Sequence, residues 1–265
     1  MPSPPTANAG WVDTHIHLLP GLDDGPATLE DALAMAEVAI ADGITHAVAT
    51  PHANYQFRYE PEPVAALRQE LQERLGERLR LFTGCELHLS FENVQAAVAE
   101  PRRFSLNRGR YLLVEFPEFF ERRALGGALE QLVGAGATPV LAHPERNPVF
   151  QQHPEALDEY LRMGCLSQVT ASSFTGRFGK RAQQCSAELL KREQLHIVAS
   201  DGHSAQQRPP HFQRAFAFVE EQAGREVALA LCRDNPLAMI EDRELPYWPE
   251  PAKAKKKGLF ARLRG

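Results

Sequence analysis

The chain has 265 residues, 43% of them hydrophobic and 24% charged, with a formal net charge of −5. No apolar run approaches the roughly 20 residues that cross a bilayer, and the first ten residues, MPSPPTANAG, lack the basic and apolar stretches of a signal peptide, so a cytoplasmic protein is expected. Residues 251–265 carry six cations and no acid; removing them from the total leaves −11 on the rest, a balance that argues against nucleic acid as a partner.

Short apolar or β-branched runs alternate with longer amphipathic stretches, the pattern of βα units on a parallel sheet. WVD (11–13) reads as the first strand. A helix follows over 28–42, with Thr28 as N-cap, Asp31 three residues later and Gly43 as its stop. THAVAT (45–50) is the second strand and 61–78 the second helix; LRLFTG (79–84) is the third strand, followed by a short helix over 91–100 ended by Pro101. YLLVEF (111–116), a helix over 121–134, TPVLA (138–142) and a helix over 154–163 continue the alternation. CLSQVT (165–170), a helix over 179–193 and HIVAS (196–200) complete seven strands, and helices at 211–223 and 225–233 close the domain before Asn235-Pro236. The division expected is an N-terminal extension (1–10), one domain (11–245) and a basic tail (246–265) that is either disordered or amphipathic.

Cys85, Cys165, Cys185 and Cys232 are scattered singly, without a CxxC pair, and read as buried apolar residues. A thiol phosphatase needs an arginine six residues after its cysteine; those positions hold Phe91, Ala171, Lys191 and Ala238.

The chemistry lies at the strand ends. His15 and His17 follow the first strand, His52 the second and Glu86 the third; Glu115 closes the fourth, His143 follows the fifth, and Asp201 and His203 follow the last. In a βα barrel the strand C-termini meet at one mouth, so these residues are expected in one cup. His15 and His17 alternate along DTHIH and point the same way, which suits Zn²⁺, Mn²⁺ or Fe²⁺. Glu115 ends an apolar run, where an unpaired carboxylate would be costly. GLDDGP (21–26) is a turn by composition, and its aspartates can cap the helix that follows, which is the reading for Asp23. With Asp24, Glu86, Glu115 and Asp201 supplying four negative charges, two dications balance the cup and a third leaves an excess that attracts a dianion. Arg146 and Arg208 are placed to bind it. His46, His88, His153, His196 and His211 lack such placement and receive no role.

DTHIH, DDGP, TPH, GCEL, VEF, AHPER and ASDGH, in this order over roughly 11–240, resemble the polymerase-and-histidinol-phosphatase (PHP) superfamily. DDGP and the RPP after ASDGH favour its bacterial manganese-dependent protein-tyrosine phosphatases of capsule and exopolysaccharide production. The resemblance implies an α/β fold, a distorted (βα)7-type PHP barrel, with three Mn²⁺ ions (Fe²⁺ or Zn²⁺ as substitutes). It implies His15, His17, Glu86 and Asp201 around one ion, Glu86, Glu115 and His143 around a second, and Asp24, His52 and His203 around the third. Arg146 and Arg208 match its phosphate-binding arginines. The implied reaction is hydrolysis of phosphotyrosine by metal-bound hydroxide attacking in line, without a covalent phosphoenzyme. The implied substrate is the tyrosine-rich tail of an autophosphorylating tyrosine kinase controlling polysaccharide synthesis. The alternative is histidinol-phosphate phosphatase or another PHP phosphoesterase. The tail, with Leu259, Phe260 and Leu263 among its cations, would suit weak contact with an anionic membrane surface.

Overall fold

The computed structural model describes residues 10–117 and 120–249. The basic segment 251–265, and with it the expected membrane contact, lies outside the described residues. None of the described helices is long and apolar enough to cross a membrane.

In chain order the elements are β1 (Trp11–Ile16), α1 (Leu29–Asp42), β2 (Ile44–Ala49), β3 (His52–Ala53), α2 (Pro61–Leu75), β4 (Arg80–Thr83), β5 (Glu86–His88), α3 (Phe91–Ala99) and α4 (Pro101–Phe104). They continue with β6 (Tyr111–Glu115), α5 (Arg122–Gly134), β7 (Thr138–Ala142), α6 (Pro148–Gln152), α7 (Leu157–Arg162) and β8 (Leu166–Thr170). Last come α8 (Gly179–Lys191), β9 (Ile197–Ala199), α9 (Gln213–Ala223), α10 (Arg225–Leu229) and α11 (Asn235–Ile240).

Two parallel sheets result, β1-β2-β4 and β3-β5-β6-β7-β8-β9. Because β3 continues β2 after Thr50-Pro51, and β5 continues β4 after Gly84-Cys85, the nine strands trace seven strand positions. Proline lacks a donor and glycine gains nothing from a pleat, so both interrupt a ladder. The arc comes back on itself at a single parallel bridge between Ile16 and Gly202, held by Asp201 N–H to the His15 carbonyl (2.8 Å) and His17 N–H to the Gly202 carbonyl (2.9 Å). The barrel is therefore distorted and seamed rather than closed by a continuous ladder.

Strand alternation builds two apolar layers. Leu112, Val114, Leu141, Val169 and Val198 belong to the layer that meets the helices. Leu113, Val140, Leu166 and Ile197 belong to the other, which Met239 and Ile240 of α11 plug. Along that second face the strands turn polar: Leu113 is succeeded by Glu115, Leu166 by Gln168. The polar end is where the site forms.

Local rules account for α1. Thr28 accepts the Asp31 N–H, and Gly43 ends the helix in the left-handed region at φ 97°, which glycine adopts without a Cβ penalty. Boundaries differ from expectation at several places: β1 runs to Ile16 rather than ending at Asp13, so His15 lies within the strand and only His17 follows it. Pro101 starts α4 as well as ending α3, and Pro148 starts α6; at a first helical position the missing N–H costs nothing. Asn235-Pro236 does not end the fold but begins α11, because the Asn235 amide holds the carbonyls of His196 (3.0 Å) and Tyr247 (2.8 Å). All four cysteines are buried and free, as expected.

Candidate metal centre

The strand ends deliver nine acidic and imidazole side chains to one cup. His15, His17, Asp24, His52, Glu86, Glu115, His143, Asp201 and His203 form four overlapping groups, and within each group the donor atoms lie within 4.8 Å of one another. Glu86, at the start of β5, is the hub. Its Oε2 is 3.2 Å from His15 Nε2, 3.3 Å from His17 Nε2 and 3.0 Å from His52 Nδ1, and its Oε1 is 2.8 Å from His143 Nε2.

The groups that converge are drawn differently from the three expected sets: His17 joins Asp24, His52 and His203, Glu115 groups with His52 and Glu86, and His143 with His15 and Asp201. Asp201 Oδ1 lies 3.5 Å from His15 Nε2 and 3.6 Å from His17 Nε2. Glu115 Oε1 lies 3.9 Å from His143 Nε2. Asp24 Oδ1, on the exposed rim, lies 3.4 Å from His52 Nε2 and 3.3 Å from His203 Nε2. His143 and Asp201 both hold left-handed backbone, φ 34° and 50°, conformations that are costly for non-glycine residues and concentrate at functional sites.

The donor chemistry fits a metal ion. His15 Nδ1 is 2.9 Å from Gln168 Oε1 and His17 Nδ1 is 2.6 Å from Asp23 Oδ2. Those acceptors place the ring protons on Nδ1 and leave both Nε2 atoms as bare lone pairs. The two Nε2 atoms face each other at 3.2 Å, with Glu86 and Asp201 oxygens beside them. Two imidazoles and two carboxylates converging at this point call for positive charge, which a bound metal ion or protons on the imidazoles can supply. Glu86 Oε2, His52 Nδ1 and His203 Nε2 are buried without a well-formed hydrogen bond, which suits atoms whose role is to hold a metal ion.

The protonation energetics express the same demand. Burial pushes the His17 pKa down, but Asp23 and Glu86 outweigh it and hold it up to about 9. Burial likewise opposes, and Asp24 and Glu86 overcome, at His52, which is held up to about 11. Burial would raise Asp201, yet His15, Arg146 and Arg208 hold its carboxyl below the usual range. The cup attracts positive charge.

Arg146 and Arg208 converge on one atom. Arg208 donates to Asp201 Oδ2 at 2.6 Å, and Arg146 donates to the same oxygen. Asp201 thus turns one oxygen to the imidazoles and the other to two guanidiniums. Phe178 lies under both arginines, its ring centroid 4.4 Å from Arg146 Cζ and 5.6 Å from Arg208 Cζ, a geometry that favours a cation over the ring face.

Several supports were not foreseen from the sequence. Asp23 does act in its turn, accepting Gly25 N–H at 2.9 Å, but its other oxygen fixes His17 and accepts His52 N–H at 3.1 Å. Gly25 is required because a Cβ there would stand 2.6 Å from the His17 carbonyl oxygen. Asp13, fully buried, ties the seam by accepting Ser200 N–H at 3.0 Å and the Ser200 hydroxyl. Glu145, also buried, accepts Thr170 N–H (3.1 Å) and Ser173 Oγ–H (2.6 Å), pinning the turn that carries Arg146. His88, given no role, lies 3.5 Å from Glu115 Oε2. An aspartate in a DDGP turn carries the only signal among these, since a second carboxylate beside an HxH pair is a ready orienting group.

Asp23→Asn keeps the shape and removes the charge that orients His17. Its expected effect is an apparent Mn²⁺ affinity about 10–100-fold weaker, read from activity titrated with metal; unchanged affinity would show that the His17 ring is oriented by something else.

Residues 11–241 match the family described as capsular polysaccharide synthesis, CpsB/CapC. The tyrosine-protein phosphatase YwqE of Bacillus subtilis is 32% identical over 249 residues, covering 92% of this chain and 98% of that one. The tyrosine-protein phosphatase CpsB of Streptococcus pneumoniae is 27% identical over 241 residues, covering 88% and 99%. A solved structure from work on YwqE of Bacillus subtilis and CpsB of Streptococcus pneumoniae, described as metal-dependent tyrosine phosphatases, superposes with a TM-score of 0.83 at 33% identity, covering 91% of this chain and 99% of that one. A histidinol phosphate phosphatase from Lactococcus lactis shares the fold alone, with a TM-score of 0.54 at 15% identity over 80% of this chain and 94% of that one.

Proposed function

Because this chain belongs to the CpsB/CapC family of capsular polysaccharide synthesis, we propose that it is a metal-dependent protein-tyrosine phosphatase. The observation that carries this reading is the convergence of His15, His17, Glu86 and Asp201 with two guanidiniums on the outer oxygen of Asp201. The relatives named tyrosine-protein phosphatases match it over most of their length.

We assign His15, His17, Asp24, His52, Glu86, Glu115, His143, Asp201 and His203 as the metal-holding set. Divalent ions held there supply an acidified water at neutral pH and positive charge against phosphoryl oxygens. Arg146 and Arg208 bind the non-bridging oxygens and neutralise the charge that builds on them, drawing on the bidentate geometry of guanidinium. Asp201 and Phe178 hold the two arginines in place before substrate arrives, so little reorganisation is needed at the moment of reaction. Tyrosine, with a pKa of about 10, leaves more readily than an alkyl alcohol.

Thiol chemistry has no foothold. Burial pushes the Cys165 and Cys185 thiols up to about 12, and raises Cys85 and Cys232 as well, so thiolate, the reactive form, is scarce at neutral pH. The mixed nitrogen and oxygen donors suit Mn²⁺, with Fe²⁺ and Zn²⁺ as competitors. The substrate we favour is the tyrosine-phosphorylated tail of a kinase that regulates polysaccharide synthesis, met in the cytoplasm.

The test is phosphate release from a phosphotyrosine peptide, with histidinol phosphate in parallel, using chelator-stripped protein with and without Mn²⁺. Metal-restored hydrolysis of the peptide alone is expected. Hydrolysis of histidinol phosphate alone would keep the metal cup and overturn the substrate.

A further inference from the structure

Phe178 and Arg208 face two ways. Besides joining the cup, they line a groove of about 610 Å³ together with Arg177, His211 and Arg214. His211 is already engaged, its Nδ1 3.3 Å from Asp42. Arg177 and Arg214 are exposed, and neither pairs with a carboxylate among the described residues. The surrounding sequence reinforces the charge: 171–187 and 202–219 contain no Asp or Glu, and they carry Arg177, Lys180, Arg181, Arg208 and Arg214. This positive lip belongs to a chain whose first 250 residues sum to −11, the overall −5 less the six tail cations.

A second groove, about 670 Å³, shares Arg177 and Arg208 but carries Asp24 and Asp31. The two grooves meet at Arg177 and Arg208; in the second these arginines are offset by two aspartates, whereas no carboxylate among the described residues lines the first. Arg146 and Arg208 suffice for the phosphate being cleaved, so the charge of Arg177 and Arg214 is surplus to that step. A cationic groove opening directly from a phosphate site, beside one whose arginines are offset by aspartates, discriminates between the two flanks of a bound chain.

We propose that the groove of Arg177 and Arg214 is a substrate subsite for a second anionic group, carboxylate or phosphate, on one flank of the scissile phosphotyrosine. The inference rests on the phosphotyrosine reading and deepens it: the enzyme selects acidic or multiply phosphorylated tyrosine segments, and selects them by direction. Because both arginines are solvent-exposed, each contributes a modest factor, about threefold in kcat/KM, and the pair about tenfold at low ionic strength. The preference shrinks as salt screens the pair.

The experiment measures kcat/KM on the Mn²⁺-loaded enzyme with one neutral phosphotyrosine peptide and variants of it. The variants carry a glutamate or a second phosphotyrosine at each position on either flank in turn. The expected result is about a tenfold gain for anions on one flank only, expressed mainly in KM. In Arg177→Ala/Arg214→Ala that gain is lost while the neutral peptide is hydrolysed as before. Gain from phosphate but not carboxylate would identify multiply phosphorylated segments as the substrate, and gain from both would identify acidic ones. Equal gain on both flanks, no gain, or a gain that survives the double substitution would overturn the subsite while leaving the phosphatase intact. Failure to hydrolyse even the neutral peptide would overturn the phosphatase reading, and the subsite with it.

Discussion

Glu86→Gln loses at least about a thousandfold in kcat and fails to retain its full complement of metal. The size of the effect follows from position. Both Glu86 oxygens are used, Oε2 toward His15, His17 and His52 and Oε1 toward His143, so four imidazoles depend on one carboxylate. Burial opposes its ionisation, but the charge of His15, the His143 hydrogen bond and the closeness of His17 hold its pKa well below the usual carboxylate range. Glutamine keeps the volume, removes the charge, and aims N–H donors at nitrogen lone pairs that need a cation. The appropriate measurements are metal content by mass spectrometry and kcat on a phosphotyrosine peptide, on the same preparation. A variant with full metal content and near-normal turnover would show that Glu86 is a structural acid and move the centre of the cup elsewhere.

Arg146→Ala and Arg208→Ala each lower kcat about 10²–10³-fold, the usual cost of deleting one donor aimed at developing charge. Lysine at either position restores only part of the loss, because an ammonium lacks the planar fork that matches two phosphoryl oxygens. The shared partner makes the two arginines interdependent. Both donate to Asp201 Oδ2, so removing one strengthens the hold of the other, and the double variant loses less than the product of the single losses. Metal content must be measured beside kcat, since Asp201 also faces His15 and His17. Losses confined to KM would sink the transition-state role and leave the arginines as simple anchors.

Much of this site is legible without coordinates, for a reason that is physical. A strand C-terminus is where an apolar pleat hands over to solvent, so a histidine or carboxylate placed just there must face the mouth of a βα barrel. His52 after THAVAT, Glu115 after YLLV and His143 after TPVLA all obey that geometry. What escapes is contact across the barrel. Gln168 reaches His15 from a strand 153 positions later, and nothing local in LSQVT marks it as more than an ordinary strand residue. Asp13 and Ser200, Glu145 and Ser173, and Phe178 under two arginines are likewise tertiary pairings. The split of β2 from β3 is marked by Pro51, but whether such a break ends a strand or merely kinks it depends on the neighbours it will pair with. Helix α11 escapes because Asn235-Pro236 reads as a stop, whereas the helical backbone runs on from α10 through 230–234, accommodates Pro236 near the start of α11 and caps the barrel with Met239 and Ile240.

The seam between Ile16 and Gly202 also sets a clock. His15 and His17 leave the ribosome early, while Asp201, across the bridge from them, leaves 186 residues after His15. At roughly 5–20 residues per second this is a delay of about 10–40 s, during which the emerging chain holds an imidazole pair but no complete cage. The donor set proposed here is therefore complete only once the last strand has emerged and the seam has formed.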